Sequence, residues 1–575
     1  MMETNTERGR AELAAWESSK PRNFYDADTN LQHIVARYLG EGYAAAEPSL
    51  RAFGEQCATM IDRLAKQEDV IGNHPRLDRF DGIGRRTERI LFHPNHDAIG
   101  RLVWASGMLA LQREPGNTVQ QLALMMLLSH NGEGGVMCAV ACTSGLIRAL
   151  QQAADATVRD RFLPALLETD YERAQQGAQF LTEVQGGSDV GANAVIARDA
   201  GAGEWRISGE KWFCSNINAD QFLVMARVID ADGNVNPGTG GLGAFVIPRT
   251  LANGETNSFY IRRLKDKLGT RTLASAEVDF NECAAYAIGA PENGFKITVS
   301  HVLNTSRLIN AAACAGIMRR AYIEAHTYAC SRQAFGNVIA SYPLVQEAIA
   351  DILSEAQAAA ASCLFLGHVL DRLETGTANA DDEPLYRLLV NVNKYITSVR
   401  ATECVHRAIE VLGGNGAIES FSILPRLYRD MMVLESWEGT HNVLCLQIIR
   451  DIVRYRLHEP FERWMESALD AVETAALTET GGHIRQAYRR CQAMVTRLMA
   501  ADAHEQATHA RRLVDIMAAL AQASLLLTEA AWDVKGGRKT SKIDVLTYYV
   551  QRRLVVGYDP MNDAAYGARL ARIIV

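Results

Sequence analysis

Between two long tracts of helical periodicity, residues 178–290 change character, and this switch limits the architectures open to the chain. Short runs rich in β-branched and aromatic residues appear there: Glu204-Trp-Arg-Ile-Ser208, Phe222 to Ile229, Ala244 to Pro248 and Ala276 to Phe280. Turn signals such as Asp232-Gly233 and Asn253-Gly254 separate them. The pattern predicts a mainly α fold with a central antiparallel β domain inserted between helical regions.

The flanking tracts support that division. Residues 1 to about 50 are polar and predicted irregular, with Pro21 and Pro48 as breakers. Leu50 to Leu167 reads as helical, interrupted at His130-Asn-Gly-Glu-Gly-Gly135 by what is most simply a helix–helix connection. Beyond the β region, Leu344 to Leu373 is a long Ala-rich helix. Leu385, Leu388, Leu389, Val392, Ile396 and Val399 form one stripe of another, closed by Gly413-Gly414. Such helices make an antiparallel bundle. The expected regions are therefore 1–177 (helical), 178–290 (β), 291–457 (helical bundle) and 458–575 (helical extension).

Composition narrows the function. Net charge is −8, and residues 451–575 hold 17 basic against 15 acidic side chains, so nucleic acid is not an expected partner. The one local basic cluster, Lys535 to Lys542, reads as a solvated loop. Eleven scattered cysteines without a CxxC pair point to reduced thiols and a cytoplasmic setting, and suggest no metal site. The N-terminus has no apolar core region and argues against a signal or transit peptide. The longest apolar run, Ile516 to Thr528, is too short to span a bilayer.

One stretch carries candidate chemistry. Met431 to Trp437 is rich in large apolar residues and leads into Glu438; Gly439 then frees the backbone, and Thr440 stands at an N-cap position before a second apolar helix. A carboxylate among Trp437 and aliphatics suits a base with a raised pKa; equally, it suits a first-turn Glu stabilised by the helix dipole. Gly238-Thr-Gly-Gly-Leu-Gly243 matches GxGxxG, yet it precedes a strand instead of following one, so it reads as a hairpin connection.

In combination, several motifs over about residues 90–455 resemble the acyl-CoA dehydrogenase superfamily of flavoproteins. Phe180-Leu-Thr-Glu-Val-Gln-Gly-Gly-Ser188-Asp resembles its flavin and thioester loop. That resemblance implies that Leu181 and Thr182 contact FAD, and that Ser188 contacts FAD or the acyl-CoA. Gly209-Glu-Lys-Trp-Phe213-Cys-Ser215 resembles the second flavin strand, with Phe213 beside the isoalloxazine and Ser215 reaching flavin N5. Ser331-Arg332-Gln-Ala-Phe335-Gly and Pro343-Leu-Val-Gln346 resemble the segments holding the pyrophosphate and adenosine end of an FAD shared with a neighbouring subunit. Arg332, Phe335, Gln346 and the Gly413-Gly414 turn are implied cofactor contacts, as are Thr440 and Asn442 beyond the catalytic turn.

Glu438-Gly-Thr440 resembles that turn itself. Some family members carry the base before an Arg on an earlier helix; here Ser306 precedes Arg307, and Ser306 is no base. Arg307 and Gly439 are implied substrate contacts. Arg263-Leu-Lys-Asp-Lys-Leu-Gly-Thr-Arg271, Trp437-Glu-Gly439 and Asn442-Val-Leu-Cys are similar to the AidB-type, C-terminally extended branch. The resemblance implies α,β-dehydrogenation of an acyl-CoA, with electrons passed to an electron-transferring flavoprotein and a homodimer or homotetramer as the working unit. An acyl-CoA oxidase using oxygen is a second reading. An AidB-like flavin-containing DNA-binding or protective protein with weak dehydrogenase activity is a third.

Overall fold

The computed structural model describes residues 5–574 apart from 135, 231, 471–474, 539 and 540. The polar N-terminal stretch is helical, against expectation: α1 (Asn5–Ser19), α2 (Thr29–Leu39) and α3 (Tyr43–Gln56) precede α4 (Asp62–Glu68). Pro48 lies inside α3. Trp16, Leu31, Ile34, Val35, Leu50 and Phe53 are buried, so tertiary packing overrides the polar composition of these helices. A second departure is a hairpin within the region read as helical, β1 (Arg76–Phe80) against β2 (Arg86–Leu91). Its charged faces gave no helical or strand alternation to read.

α5 (Pro94–Ala105), α6 (Thr118–Ser129), α7 (Met137–Ala153) and α8 (Ala156–Leu166) complete the first region. α6 is buried nearly all round because it is apolar on every side. Gly135 of the predicted α6–α7 connection lies outside the described residues; the remainder of that turn is tightly packed, with His130, Asn131 and Glu133 buried.

The β domain holds β3 (Gly177–Phe180), β4 (Ile196–Gly201), β5 (Glu204–Ser215), β6 (Gln221–Ile229), β7 (Leu242–Pro248), β8 (Phe259–Leu264) and β9 (Ser275–Ala287). Pairing runs β6–β4–β5–β9–β7 and returns to β6, closing the sheet on itself; β3 adds to β6 and β8 to β9. The sheet is mainly antiparallel, with two parallel pairings, β3–β6 and β4–β6. Phe180, Ile207, Phe222, Phe245, Phe259 and Val278 fill it. The Gly238–Gly241 turn joins β6 to β7, as its place before a strand predicts.

α9 (Gly294–Ile297) leads into α10 (Asn304–Ser331); a two-residue hairpin follows, β10 (Gln333–Ala334) with β11 (Asn337–Val338), then α11 (Pro343–Thr375) and α12 (Asp382–Leu412). α10, α11 and α12 pack on one another, with α13 (Leu424–Leu434) and α14 (His441–Tyr455) against α12. The extension is α15 (His458–Asp470), α16 (Thr478–Ala500), α17 (Ala503–Lys535), α18 (Lys542–Arg553) and α19 (Tyr566–Ile574).

The extension docks on α11 through α17, α18 and α19. Tyr548 donates to Asp351 Oδ1 at 2.7 Å, and Arg553 Nε reaches Glu355 at 2.7 Å. α11 and α17 are long and apolar enough to cross a membrane, but their apolar windows are 100% and 78% buried, which makes them core helices of this bundle.

Candidate active site

A cleft of about 2280 Å³ opens between the β domain, α7, α10 and the α13–α14 turn. Its wall brings together nine residues predicted from sequence: Leu181, Thr182 and Ser188 after β3; Phe213 and Ser215 at the end of β5; Arg307 on α10; and Glu438, Gly439 and Thr440. Phe213 is 49% exposed, a large aromatic left facing the opening. Thr182, Ser188 and Ser215 add hydroxyls to that wall. The carbonyl of Leu181 accepts from the buried Lys211 Nζ at 3.1 Å and Asn193 Nδ2 at 3.0 Å, fixing the loop's start. Lys211 is also paired with Glu183 at 2.7 Å, so neither buried charge lacks its counter-ion.

The turn between α13 and α14 explains where Glu438 points. Thr440 is the N-cap of α14 in extended backbone conformation, and Glu438 lies two residues outside the helix. Glu438 has φ +60°, and Gly439 has φ +109°. A left-handed glutamate costs about 1–3 kcal/mol and persists only where its surroundings hold it. The first-turn alternative for Glu438 therefore does not describe this geometry.

Two cations hold the turn by its carbonyls. Arg307 Nε donates to the Glu438 carbonyl at 3.0 Å, while its Nη1 donates to Asn391 Oδ1 at 2.6 Å. Lys394 on α12, wholly buried, donates from Nζ to the carbonyls of Glu435 at 2.8 Å and Gly439 at 3.0 Å. Trp437 packs with Leu273, Cys138 and Cys142, forming an apolar wall beside the carboxyl.

Electrostatics follow from that enclosure. Removal from water pushes the Glu438 carboxyl up to about 7, opposed by Arg307 and Lys394. Burial likewise lowers Arg307 to about 10 and Lys394 to about 8, with Glu438 pulling both back up. Near neutral pH a carboxyl tuned this way is available in its ionised, proton-accepting form. Ser306, at the alternative base position, donates to Gln179 Oε1 at 3.3 Å.

The remaining predicted residues lie outside this cleft. Arg332 pairs with Glu12 of α1 at 3.0 Å. Phe335 sits at the tip of the β10–β11 hairpin, 97% exposed with φ +52°. Gln346 donates to the Ala340 carbonyl at 3.0 Å. Gly413 and Gly414 form the turn after α12, Gly413 with φ +62°. Asn442 accepts from Arg511 of α17 at 2.6 Å. One chain thus assembles one part of the predicted cofactor set and leaves the other on its surface.

Sequence reading passed over Lys394, Asn391 and Lys267. Lys394 falls on the side of α12 opposite its apolar stripe, where a lysine reads as solvated, so only the packing of the bundle reveals its burial.

A helix–β–helix chain with a hydroxyl- and aromatic-lined cleft around a raised-pKa carboxylate has the organisation of a flavin-dependent dehydrogenase. Residues 292–453 match the acyl-CoA dehydrogenase C-terminal domain, and residues 178–283 match the acyl-CoA dehydrogenase middle domain. Residues 16–173 match the N-terminal domain of the adaptive response protein AidB. AidB of Escherichia coli (strain K12) is 31% identical over 441 residues, covering 74% of this chain and 77% of that protein. Acyl-CoA dehydrogenase family member 11 of Caenorhabditis elegans is 29% identical over 458 residues, 78% of this chain and 73% of the relative. The solved Caenorhabditis elegans ACDH-11 in complex with C11-CoA superposes with a TM-score of 0.87 at 26% identity, covering 93% of each chain.

The chain belongs to the acyl-CoA dehydrogenase family, in its AidB-type extended branch. It is accordingly an enzyme of that family with FAD as its cofactor. The cleft fits such a group: the Thr182, Ser188 and Ser215 hydroxyls and the exposed Phe213 ring supply hydrogen-bonding groups and an apolar face on one wall.

Proposed function

We propose that the protein catalyses α,β-dehydrogenation of an acyl-CoA thioester, with Glu438 as the base for the α-proton. The carrying observation is the Glu438 carboxyl, set in the cleft wall on a strained turn and raised to about 7. When bound, FAD supplies the acceptor for the β-hydride at its N5. Leu181, Thr182, Ser188, Phe213 and Ser215 line that part of the cleft, and Thr440 closes it from the helix side. Ser188, Arg307 and Gly439 border the space for the thioester. The backbone N–H of Glu438 polarises the thioester carbonyl as negative charge develops there, an oxyanion-hole role.

Arg332, Phe335, Gln346, Gly413, Gly414 and Asn442 serve the cofactor of a neighbouring copy, so the working unit is a homodimer or homotetramer. Their position outside the chain's own cleft supports this reading, as does a phenylalanine held fully exposed at a hairpin tip. The acceptor for the second half-reaction is an electron-transferring flavoprotein, and the setting is a reducing, cytoplasm-like compartment.

Anaerobic titration of the purified flavoprotein with a panel of acyl-CoAs tests the proposal. The panel includes an eleven-carbon chain, because the nematode relative was solved with C11-CoA. Bleaching of the flavin by at least one acyl-CoA is expected. Rapid peroxide formation on admitting air would reassign the enzyme as an oxidase. No bleaching by any chain would favour the third reading, a flavin-containing DNA-binding or protective protein, for which the AidB-type N-terminal domain speaks.

A further inference from the structure

Behind Ser215 runs a part-buried chain of hydrogen bonds that ends on a cation. Lys267 Nζ donates to the Leu273 carbonyl at 2.8 Å and to Ser275 Oγ at 2.9 Å. Ser275 Oγ lies 2.9 Å from Ser215 Oγ. Ser275 is buried, whereas Ser215 and Lys267 both line the cleft.

The direction of this chain follows from proton counting. An ammonium has three donors and no acceptor, so Ser275 Oγ accepts from Lys267. Ser275 keeps one proton, and the Ser215 oxygen 2.9 Å away is the acceptor that the structure provides for it. Ser215, having accepted that bond, has its own proton left for the cleft. A hydroxyl that could otherwise rotate either way is thereby set as a donor, backed by a positive charge.

The surroundings keep that charge in place. Lys267 faces the carboxyls of Glu133 and Asp430 and the Cys138 thiol. Burial pushes the Glu133 and Asp430 carboxyls above their ordinary range; the Glu133 oxygens accept from the Cys138 N–H at 3.2 Å, and Asp430 accepts from the Thr270 N–H at 2.6 Å and the Glu133 N–H at 3.0 Å. Burial lowers Lys267 to about 8 with these acids opposing, which leaves it mostly protonated at neutral pH.

We propose that Lys267 and Ser275 are positioning residues that orient the Ser215 hydroxyl as a hydrogen-bond donor toward the hydride-accepting edge of the flavin and raise the flavin's affinity for electrons. The inference rests on the flavin lying against Ser215, as the proposed function has it. Hydrogen bonds in a water-poor site polarise one another, so the cation is felt at the end of the chain.

The test is spectroelectrochemistry on FAD-loaded wild type, Lys267→Met, Ser275→Ala, Ser275→Thr and Ser215→Ala, recording midpoint potential and flavin absorption spectrum. Lys267→Met and Ser275→Ala are expected to weaken reduction about tenfold at equilibrium, a fall of about 30 mV for a two-electron couple. Ser275→Thr, which keeps the hydroxyl, retains the wild-type potential. Should Lys267→Met lose FAD, Ser275→Ala decides, since it removes one oxygen only. If Ser215→Ala shifts the potential while Ser275→Ala and Lys267→Met do not, the chain is structural and the inference is overturned. If Ser215→Ala moves neither potential nor spectrum, the flavin's placement at Ser215 has failed first.

Discussion

The Lys394 ammonium reaches across from α12 to the carbonyl of Gly439 at 3.0 Å, one residue beyond Glu438, the proposed base. Its other bond, to the Glu435 carbonyl, straddles the same turn from the far side. With Arg307 on the Glu438 carbonyl, the peptide groups of a left-handed turn are fixed by charges that are themselves buried. The groups facing Glu438 here are Arg307 and Lys394, with Glu435, Cys314 and His441 around the lysine.

Lys394→Met keeps most of the volume and removes the clamp and its charge. Flavin reduction by acyl-CoA should fall by about 10- to 100-fold through misplacement of the carboxylate. Loss of a cation that favours ionised Glu438 also moves the acid limb of the pH–rate profile upward from about 7. Stopped-flow reduction across pH checks both, with FAD content as control. A slower variant with an unmoved acid limb would show that the charge does not reach the base.

Glu438→Gln retains shape and cannot take a proton. FAD content and product-CoA binding should persist, while flavin bleaching falls by more than the ~10²–10⁴-fold usual for a positioned acid or base, because proton and hydride departure are coupled. Glu438→Asp should be intermediate, since withdrawal by one methylene breaks contact distance. Near wild-type reduction by Glu438→Gln would mean that another base operates.

The same substitution carries a stability signature. A carboxyl raised from 4.5 to about 7 favours the fold fully below about 4.5 and loses that contribution as pH rises through about 7. Glu438→Gln has no such loss, so its Tm should exceed that of wild type by about 1–3 °C at pH 8. Thermal melts at pH 4.5 and 8 make the comparison; equal differences at both pH values would contradict it.

Arg332→Ala should weaken FAD retention by about 10- to 100-fold and loosen the oligomer together, as expected for loss of a charged contact across an interface. Glu12→Gln, which releases the guanidinium from its partner within the chain, should retain FAD. Sedimentation with flavin absorbance measures both properties at once. Unchanged FAD affinity in Arg332→Ala would remove the arginine from the cofactor site.

Removing residues 458–575 should cause aggregation. α17 contributes Leu513, Met517, Leu520 and Leu527 to the core, and α11 would be stripped along the face that meets it. A soluble, active truncation would reduce the extension to an appendage. The extension should also bind duplex DNA weakly at physiological salt. Arg538 pairs with Asp533 at 2.9 Å, and the buried Lys542 with Glu529 at 2.7 Å, so few charges of the Lys535–Lys542 segment are available to phosphates. Lys539 of that segment lies outside the described residues, and a steep salt slope in a binding titration would reveal it or its neighbours as a DNA contact.

Local chemistry determined much of this protein from sequence alone. The order of helical and β regions follows from periodicities of 3.6 and 2 residues, which need no distant partner to be read. Glu438, Gly439 and Thr440 were legible for the same reason: a glycine and a cap-forming residue announce a helix start wherever they occur. The helices of residues 5–56 were not, because their stability lies in Trp16, Leu31 and Phe53 meeting the bundle and not in their own composition. Tertiary structure alone decided that Glu438 takes a positive φ, a conformation held where Arg307 and Lys394 grip the turn from helices far away in sequence. It alone joined Lys267 to Ser215 through Ser275, three polar residues that no spacing connects. Buried polar contacts of this kind depend on distances of about 3 Å between remote segments, and sequence encodes such distances only through the whole fold.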